Sequence, residues 1–239
     1  MGGLKRIVFR NLKYRISIII PVFCEQAIIN RTVETVRSRR GGKAAEIIVV
    51  DGQAEKETLA AIRDGSVHKL SSEKGRGRQL NRGAAVATGD VLIFLHADTV
   101  LPSTAFERIA GAMRDKDYVG GAFDLCIDSR RMAFRVIETV ANMRSRLTRI
   151  PYGDQAIFIR TSYFRTLGGF KEIPIMEDVD LMQRIKRHGR RIVIFREPVM
   201  TSARRWEKEG PVFVTLRNWF LMILHLCGVA PERLARFYK

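Results

Sequence analysis

Two carboxylates follow closely on runs of strand-forming residues: Asp51 directly after EIIVV, and Asp98 just beyond VLIFL. A carboxylate past the end of a buried strand can accept hydrogen bonds from a ribose or base, or bind a hard cation. Either one alone could equally start a turn or cap the next helix. Together, on neighbouring strands of one sheet, they favour a phosphate-bearing ligand. Between them lies Lys74-Gly-Arg-Gly-Arg78, whose glycines let backbone approach a ligand and whose Lys74, Arg76 and Arg78 can donate charge-assisted bonds to phosphate. It is neither a Walker loop nor a dinucleotide fingerprint, and a solvated basic loop fits it equally well. Glu177-Asp178 opens a helix, where acids complement the dipole; a carboxylate there could also serve as general base toward a hydroxyl. In Ser202-Ala-Arg-Arg-Trp206, Arg205 beside Trp206 could be surface cation–π packing or a diphosphate site with an apolar wall.

The segments that must position these groups alternate in type. Residues 16–20, 46–50, 67–70 and 91–95 read as strands, and 25–37, 54–63 and 78–88 as helices. Continuous apolar strands separated by helices predict an α/β fold with a mostly parallel central sheet and helices on both faces. Ligands of such sheets collect beyond the carboxyl ends of the strands, where residues 21–25, 51–52 and 96–98 fall. Further on the pattern is mixed: helices over 103–113, 130–149, 161–167 and 178–188, and strands over 118–126, 156–160 and 191–195. Residues 211–227 predict a long, apolar C-terminal helix. Its broad face of Phe213, Leu216, Phe220, Ile223 and Leu224 is expected to pack on the core rather than on a membrane.

Composition sets outer bounds. The 239 residues carry 42 Lys+Arg against 25 Asp+Glu, a net charge of +17, so an anionic partner is expected: nucleic acid, a membrane surface or a phosphorylated ligand. Cys24, Cys126 and Cys227 are odd in number and widely spaced, which suits neither a disulfide framework nor a zinc site and suggests a reducing, cytoplasmic setting. The basic residues 1–15 lack the apolar core of a secretory signal, and Arg6 stands where a myristoylation signal wants Ser or Thr. No stretch reaches the ~20 apolar residues needed to cross a bilayer.

Taken in order, ISIIIPVFCE, EIIVVDG, VLIFLHADT, GGF, MEDVDL and ARRW resemble glycosyltransferase family 2, with its GT-A fold, from about residue 16 to 206. HADT, PYGDQAIF, MEDVDL and PERLARFY are similar to a subgroup of short family-2-like transferases. The resemblance implies an inverting hexosyl transfer from a nucleotide-sugar donor, with Mn²⁺ or Mg²⁺. On that basis Pro21 and Glu25 match the motif contacting the nucleoside, and Asp51 the acid that reads base or ribose. Asp98 matches the metal-holding Asp of D-x-D. Asp178 matches the general base, with Glu177 orienting it or the acceptor. Arg205 and Trp206 match the end of Q-x-x-R-W, and with Lys74, Arg78 and His96 would complete the donor site.

The sequence also departs from the family. His96 replaces the first Asp of D-x-D, Cys24 stands where Asn is common, and Ser202 takes the Gln position of Q-x-x-R-W. Tyr152-Gly-Asp-Gln155 reads as a turn before the strand and helix that lead to Asp178, so Asp154 or Gln155 is expected to contribute to acceptor binding. The expected organisation is a basic extension (1–15), a transferase domain (16–206) and a helical appendage packed on it (207–239). The acceptor could be lipid-linked, with peripheral contact to an anionic membrane at its cytoplasmic face. The alternatives are a basic nucleic-acid- or membrane-binding protein without catalysis, for which no nucleic-acid-binding signature is present, or a nucleotidyltransferase on a related fold.

Overall fold

A computed structural model describes residues 14–237, so nearly all of the basic extension lies outside the described residues. The chain opens with β1 (Ile16–Val22), α1 (Ile29–Ser38), β2 (Glu46–Asp51), α2 (Glu57–Ala61), β3 (His68–Ser71), α3 (Arg76–Val86) and β4 (Val91–Phe94). There follow β5 (Thr99–Val100), α4 (Ala105–Ala112), β6 (Tyr118–Asp128), α5 (Met132–Thr148), β7 (Phe158–Arg160) and α6 (Thr161–Thr166). The last elements are α7 (Glu177–Arg187), β8 (Arg191–Ser202), α8 (Arg204–Glu209), α9 (Pro211–Leu226) and α10 (Pro231–Leu234).

The strands form one eight-stranded sheet in the order β3-β2-β1-β4-β7-β6-β8-β5. The first four are parallel, as expected from their unbroken apolar runs. β7 then runs antiparallel to both neighbours, β6 and β8 are parallel, and β5 closes the edge antiparallel to β8. Alternate side chains of one strand feed two cores. Ile18, Ile20, Ile47 and Val49 meet α1 and α4 on one face, while Ile19, Ile48 and Val50 meet α3 and α7 on the other. That double burial is why these strands show no polar alternation.

Three differences from the sequence expectation matter for function. β1 continues through Pro21 to Val22, because pairing with β4 stops at Ile19 and the proline's missing donor falls on that open side. β8 runs to Ser202 rather than stopping at residue 195: Phe123 pairs with Phe195 but Asp124 with Pro198, so an irregularity in the ladder absorbs Arg196 and Glu197. The longer strand delivers Thr201 and Ser202 to the ligand-binding end of the sheet.

The third difference is a correction to α9. Phe213, Leu216, Phe220 and Ile223 were expected to face the core, yet each is between 55% and 58% exposed. The buried residues are Val214, Leu221 and Met222 on the other side. A helix apolar all round has no polar stripe to tell its inner face from its outer one, so periodicity alone gave the wrong face.

Close packing of β6 depends on missing side chains. A Cβ at Gly121 would lie 2.1 Å from the Val193 carbonyl oxygen and 2.6 Å from the Phe158 ring. Both neighbours are strands of the same sheet, so neither can move aside cheaply. Gly121→Ala is expected to lower stability by about 2–3 kcal/mol, measured by chemical denaturation of the purified variant.

Candidate active site

A cavity of ≈ 440 Å³ opens at the carboxyl ends of β1 and β4 and is walled by the N-terminus of α7, the turn at residues 152–154, and α8 and α9. Of the residues singled out from sequence, it brings together Pro21, Glu25, His96, Asp98, Asp154, Glu177, Asp178, Arg205 and Trp206.

Asp178 sits in the first turn of α7. Its Oδ2 accepts the Gly153 N–H at 2.6 Å and its Oδ1 the Val179 N–H at 2.7 Å. Each carboxylate oxygen keeps a further lone pair, so the group is oriented without being used up. Gly153 is wedged between two site residues: a Cβ there would be 3.1 Å from His96 Nε2 and 3.3 Å from Asp178 Oδ2.

Glu177 is almost wholly buried and lies 3.3 Å from the Arg76 guanidinium. Burial pushes its pKa up, Arg76 opposes that, and neighbouring Asp178 adds to the rise. Asp154 is pushed up to about 6, first by burial and then by the charge of Asp178, with Arg144 and Arg76 opposing. Its Oδ1 is buried without a hydrogen-bond partner, as is Oδ1 of Asn218 on α9, another cavity residue. Buried polar atoms are nearly always paired, so two orphans lining one cavity fit a place where ligand atoms complete the bonding.

On the sheet side, burial and the nearby charge of Arg76 push His96 down to about 3, so its imidazole is neutral at physiological pH. Arg204 lies 3.3 Å from Glu25 and 3.7 Å from Asp98. Burial raises the pKa of Glu25; Arg204 holds that rise back and Asp98 adds to it. Arg205 pairs with Glu209 at 3.3 Å, and Trp206 packs edge-on to Phe134. Gln79 bridges the sheet ends, donating at 2.8 Å to the carbonyls of both Val22 and Val50.

Four expected residues stand elsewhere. Asp51 is fully buried behind the wall; one oxygen accepts the Gln53 N–H at 2.9 Å and the other has no partner. Lys74 stacks over Phe23 at 4.5 Å, one residue back from the cavity. Arg78 is engaged by Glu73 and Glu172, and it is Arg76 of the same segment that reaches the cavity. Gln155 spends its side chain on the scaffold: its oxygen accepts from Ser145 and from the Tyr152 N–H, and its nitrogen donates to Phe123. Arg144 stacks 3.5 Å from the centre of the Tyr152 ring. Sequence reading missed Gln79 and Asn218; the signal for Asn218 was a polar pair, Arg217-Asn218, within a largely apolar helix.

Among the described residues no group of three or more His, Cys, Asp and Glu side chains could hold a metal ion. Asp98 is one carboxylate of the cavity wall on this side, next to a neutral His96. That donor set does not make a free-standing cation site. It does fit a hard cation that takes most of its oxygens from water and a bound diphosphate, as Mg²⁺ commonly does.

The raised pKa of Asp154 has a stability consequence. The unfolded carboxyl ionises near 3.8 and the folded one at about 6. This group's contribution is fully present below the unfolded value and is lost as pH rises through the folded one, a difference of about 3 kcal/mol. Asp154→Asn is therefore expected to melt higher than the parent chain at pH 7.5 and close to it at pH 4, measured by scanning calorimetry.

Residues 17–168 match the family described as Glycosyl transferase family 2. A glucosyl-3-phosphoglycerate synthase of Mycolicibacterium smegmatis is 28% identical over 100 residues, 38% of this chain and 33% of that protein. The probable glycosyltransferase YdaM of Bacillus subtilis is 26% identical over 220 residues, 82% of this chain and 51% of that one. The chain thus spans between a third and a half of these relatives. Among solved structures, the Pyrobaculum calidifontis mannosyltransferase PcManGT, in complex with GDP-Man and Mn²⁺, superposes with a TM-score of 0.60 at 21% identity, covering 79% of this chain and 56% of that one. TarS 1-349 of S. aureus, in complex with UDP, gives 0.59 at 14% identity, covering 79% and 60%. These likenesses show the fold, the GT-A-like arrangement expected from the motifs. The family pattern begins one residue into β1 and runs through the turn that holds Asp178, and so the chain belongs to glycosyl transferase family 2.

Proposed function

We propose that the chain is an inverting glycosyltransferase that moves a sugar from a nucleotide-sugar donor to an acceptor hydroxyl, with Asp178 as general base. The observation that carries this reading is the Asp178 carboxylate, fixed by two backbone amides in the cavity wall with lone pairs to spare. The nucleoside lies against Pro21 and Glu25 at the end of β1, while Asp51, fully buried behind them, holds the turn at Gln53 rather than touching the ligand. Arg205, with Lys74 at the rim, faces the diphosphate, and Trp206 supplies an apolar wall. Asp98 would hold Mn²⁺ or Mg²⁺ together with the diphosphate, and the cation would neutralise charge growing on the leaving group.

The acceptor hydroxyl lies between Asp178 and Asp154. As its proton passes to Asp178, the acceptor oxygen bonds to the anomeric carbon and the bond from that carbon to the diphosphate breaks. The electron pair leaves with the nucleoside diphosphate, and a single displacement inverts the anomeric centre. Glu177, held by Arg76, positions Asp178 by fixing the first turn of α7. The glucosyl and mannosyl enzymes among the relatives and the GDP-Man and UDP complexes among the structures support this class of donor, without selecting a sugar.

Two outcomes are expected. Asp178→Asn loses at least about a hundredfold in transfer, followed as nucleoside diphosphate released from a panel of UDP- and GDP-sugars, while binding of the free nucleoside diphosphate in calorimetry is unchanged. Full activity in that variant would remove the base assignment. Asp98→Asn weakens nucleoside diphosphate binding in the presence of Mn²⁺ and leaves metal-free binding unaltered. Equal loss in both conditions would mean that Asp98 does not hold the cation.

A further inference from the structure

We infer that α9, with α5 beside it, docks the protein flat on an anionic lipid bilayer. α9 buries Val214, Leu221 and Met222 and yet is also apolar on the outside. Val212, Leu216, Trp219, Ile223 and Leu226, flanked by Phe213 and Phe220, are all exposed, by 42% to 66%. On a helical net they fall within an arc of roughly 140°. That arc contains no charged residue. The polar residues Asn218 and His225 instead turn toward the protein, where Asn218 lines the cavity.

α5 touches α9 and repeats the pattern. Met132, Val136, Met143 and Leu147 are exposed by 52% to 77%, and their spacing puts them within about 60° of one another. Two adjacent helices exposing large side chains in stripes differ from the singly scattered apolar residues of an ordinary surface.

Charge selects the occupant. The acid of α5, Glu138, is buried, so the ionic groups this helix shows to solvent are arginines, among them Arg135 and Arg146. Arg130 and Arg131 stand exposed at its start, Lys208 just before α9, and Arg233 and Arg236 after it. Asp128, Glu207 and Glu232 are the exposed acids at the same helix ends. Apolar stripes bordered mainly by cations match a bilayer with anionic headgroups, each basic side chain near the surface adding to the attraction. A second copy of a chain with net charge +17 would instead oppose like charges across the same face. The helix lies in the interface rather than spanning it: 16 residues extend only about 24 Å, and among the described residues no helix is long and apolar enough to cross a membrane. Docked this way, the cavity, one wall of which is Val214 and Asn218 of the same helix, lies close to the headgroups, so an acceptor carried on a lipid would be near it. Only the encounter with a lipid-borne acceptor rests on the transfer reading.

The test is co-flotation of the full chain with vesicles of phosphatidylcholine, with and without about one third phosphatidylglycerol, at low and high salt. Binding is expected to the anionic vesicles, weakened but not abolished by salt, with a blue shift in tryptophan emission. Leu216→Glu combined with Ile223→Glu is expected to cut partitioning about tenfold or more with the parent circular dichroism and melting curve. The inference is overturned by an absence of binding to anionic vesicles, or by equal binding of the double variant. A dimer in sedimentation velocity that the same substitutions dissolve, without vesicle binding, would assign the face to a second copy. Vesicle binding is read without turnover, so its result and that of the Asp178 variant stand independently.

Discussion

Asp154 and Glu177 are withdrawn from bulk water at one edge of the cavity, beside Asp178, whose charge raises the cost of ionising both. Left alone such a cluster would disperse or hold its protons. Arg76 from the start of α3 and Arg144 from α5 oppose the repulsion, and the amides of Gly153 and Val179 anchor the Asp178 oxygens. The surrounding architecture follows from the need to hold these groups together. α3 brings Arg76 to the cluster and α5 brings Arg144, and a side chain at residue 153 would crowd both His96 and Asp178. The N-terminus of α7 contributes its own partial positive charge to the same balance.

How much of this could be read from the chain depended on how local the physics was. β1, β2 and β4 were legible because strands buried on both faces leave continuous apolar runs. Asp98, Asp178, Arg205 and Trp206 were legible as motifs at the ends of such elements. Choosing Arg78 over Arg76 was beyond local signals: both flank glycines, and only the placement of Glu73 and Glu172 draws Arg78 outward. Gln155 misled for a similar reason, since its partners Ser145 and Phe123 come from other elements. The end of β8 was hidden because Arg196-Glu197-Pro198 reads as a break, whereas the ladder with β6 tolerates it.

His96 illustrates what a single departure does to a site. A carboxylate there would add to a cluster already short of cations; a neutral imidazole adds no negative charge beside Asp98. Asp98 is then balanced by Arg204, which also holds Glu25. The acids of the cavity thus divide its cations, Glu25 and Asp98 lying beside Arg204 and Asp154 and Glu177 answering to Arg76, while Asp98 still adds to the rise of Asp154.

α5 is attached to the turn at residues 152–155 at more than one point. Arg144 stacks on Tyr152, Ser145 is hydrogen-bonded to Gln155, and Asn142 clamps both backbone groups of Leu125 on β6. A helix fastened in this way behaves as a stiff beam. A shift of its outer surface would therefore disturb the turn whose Gly153 amide anchors Asp178.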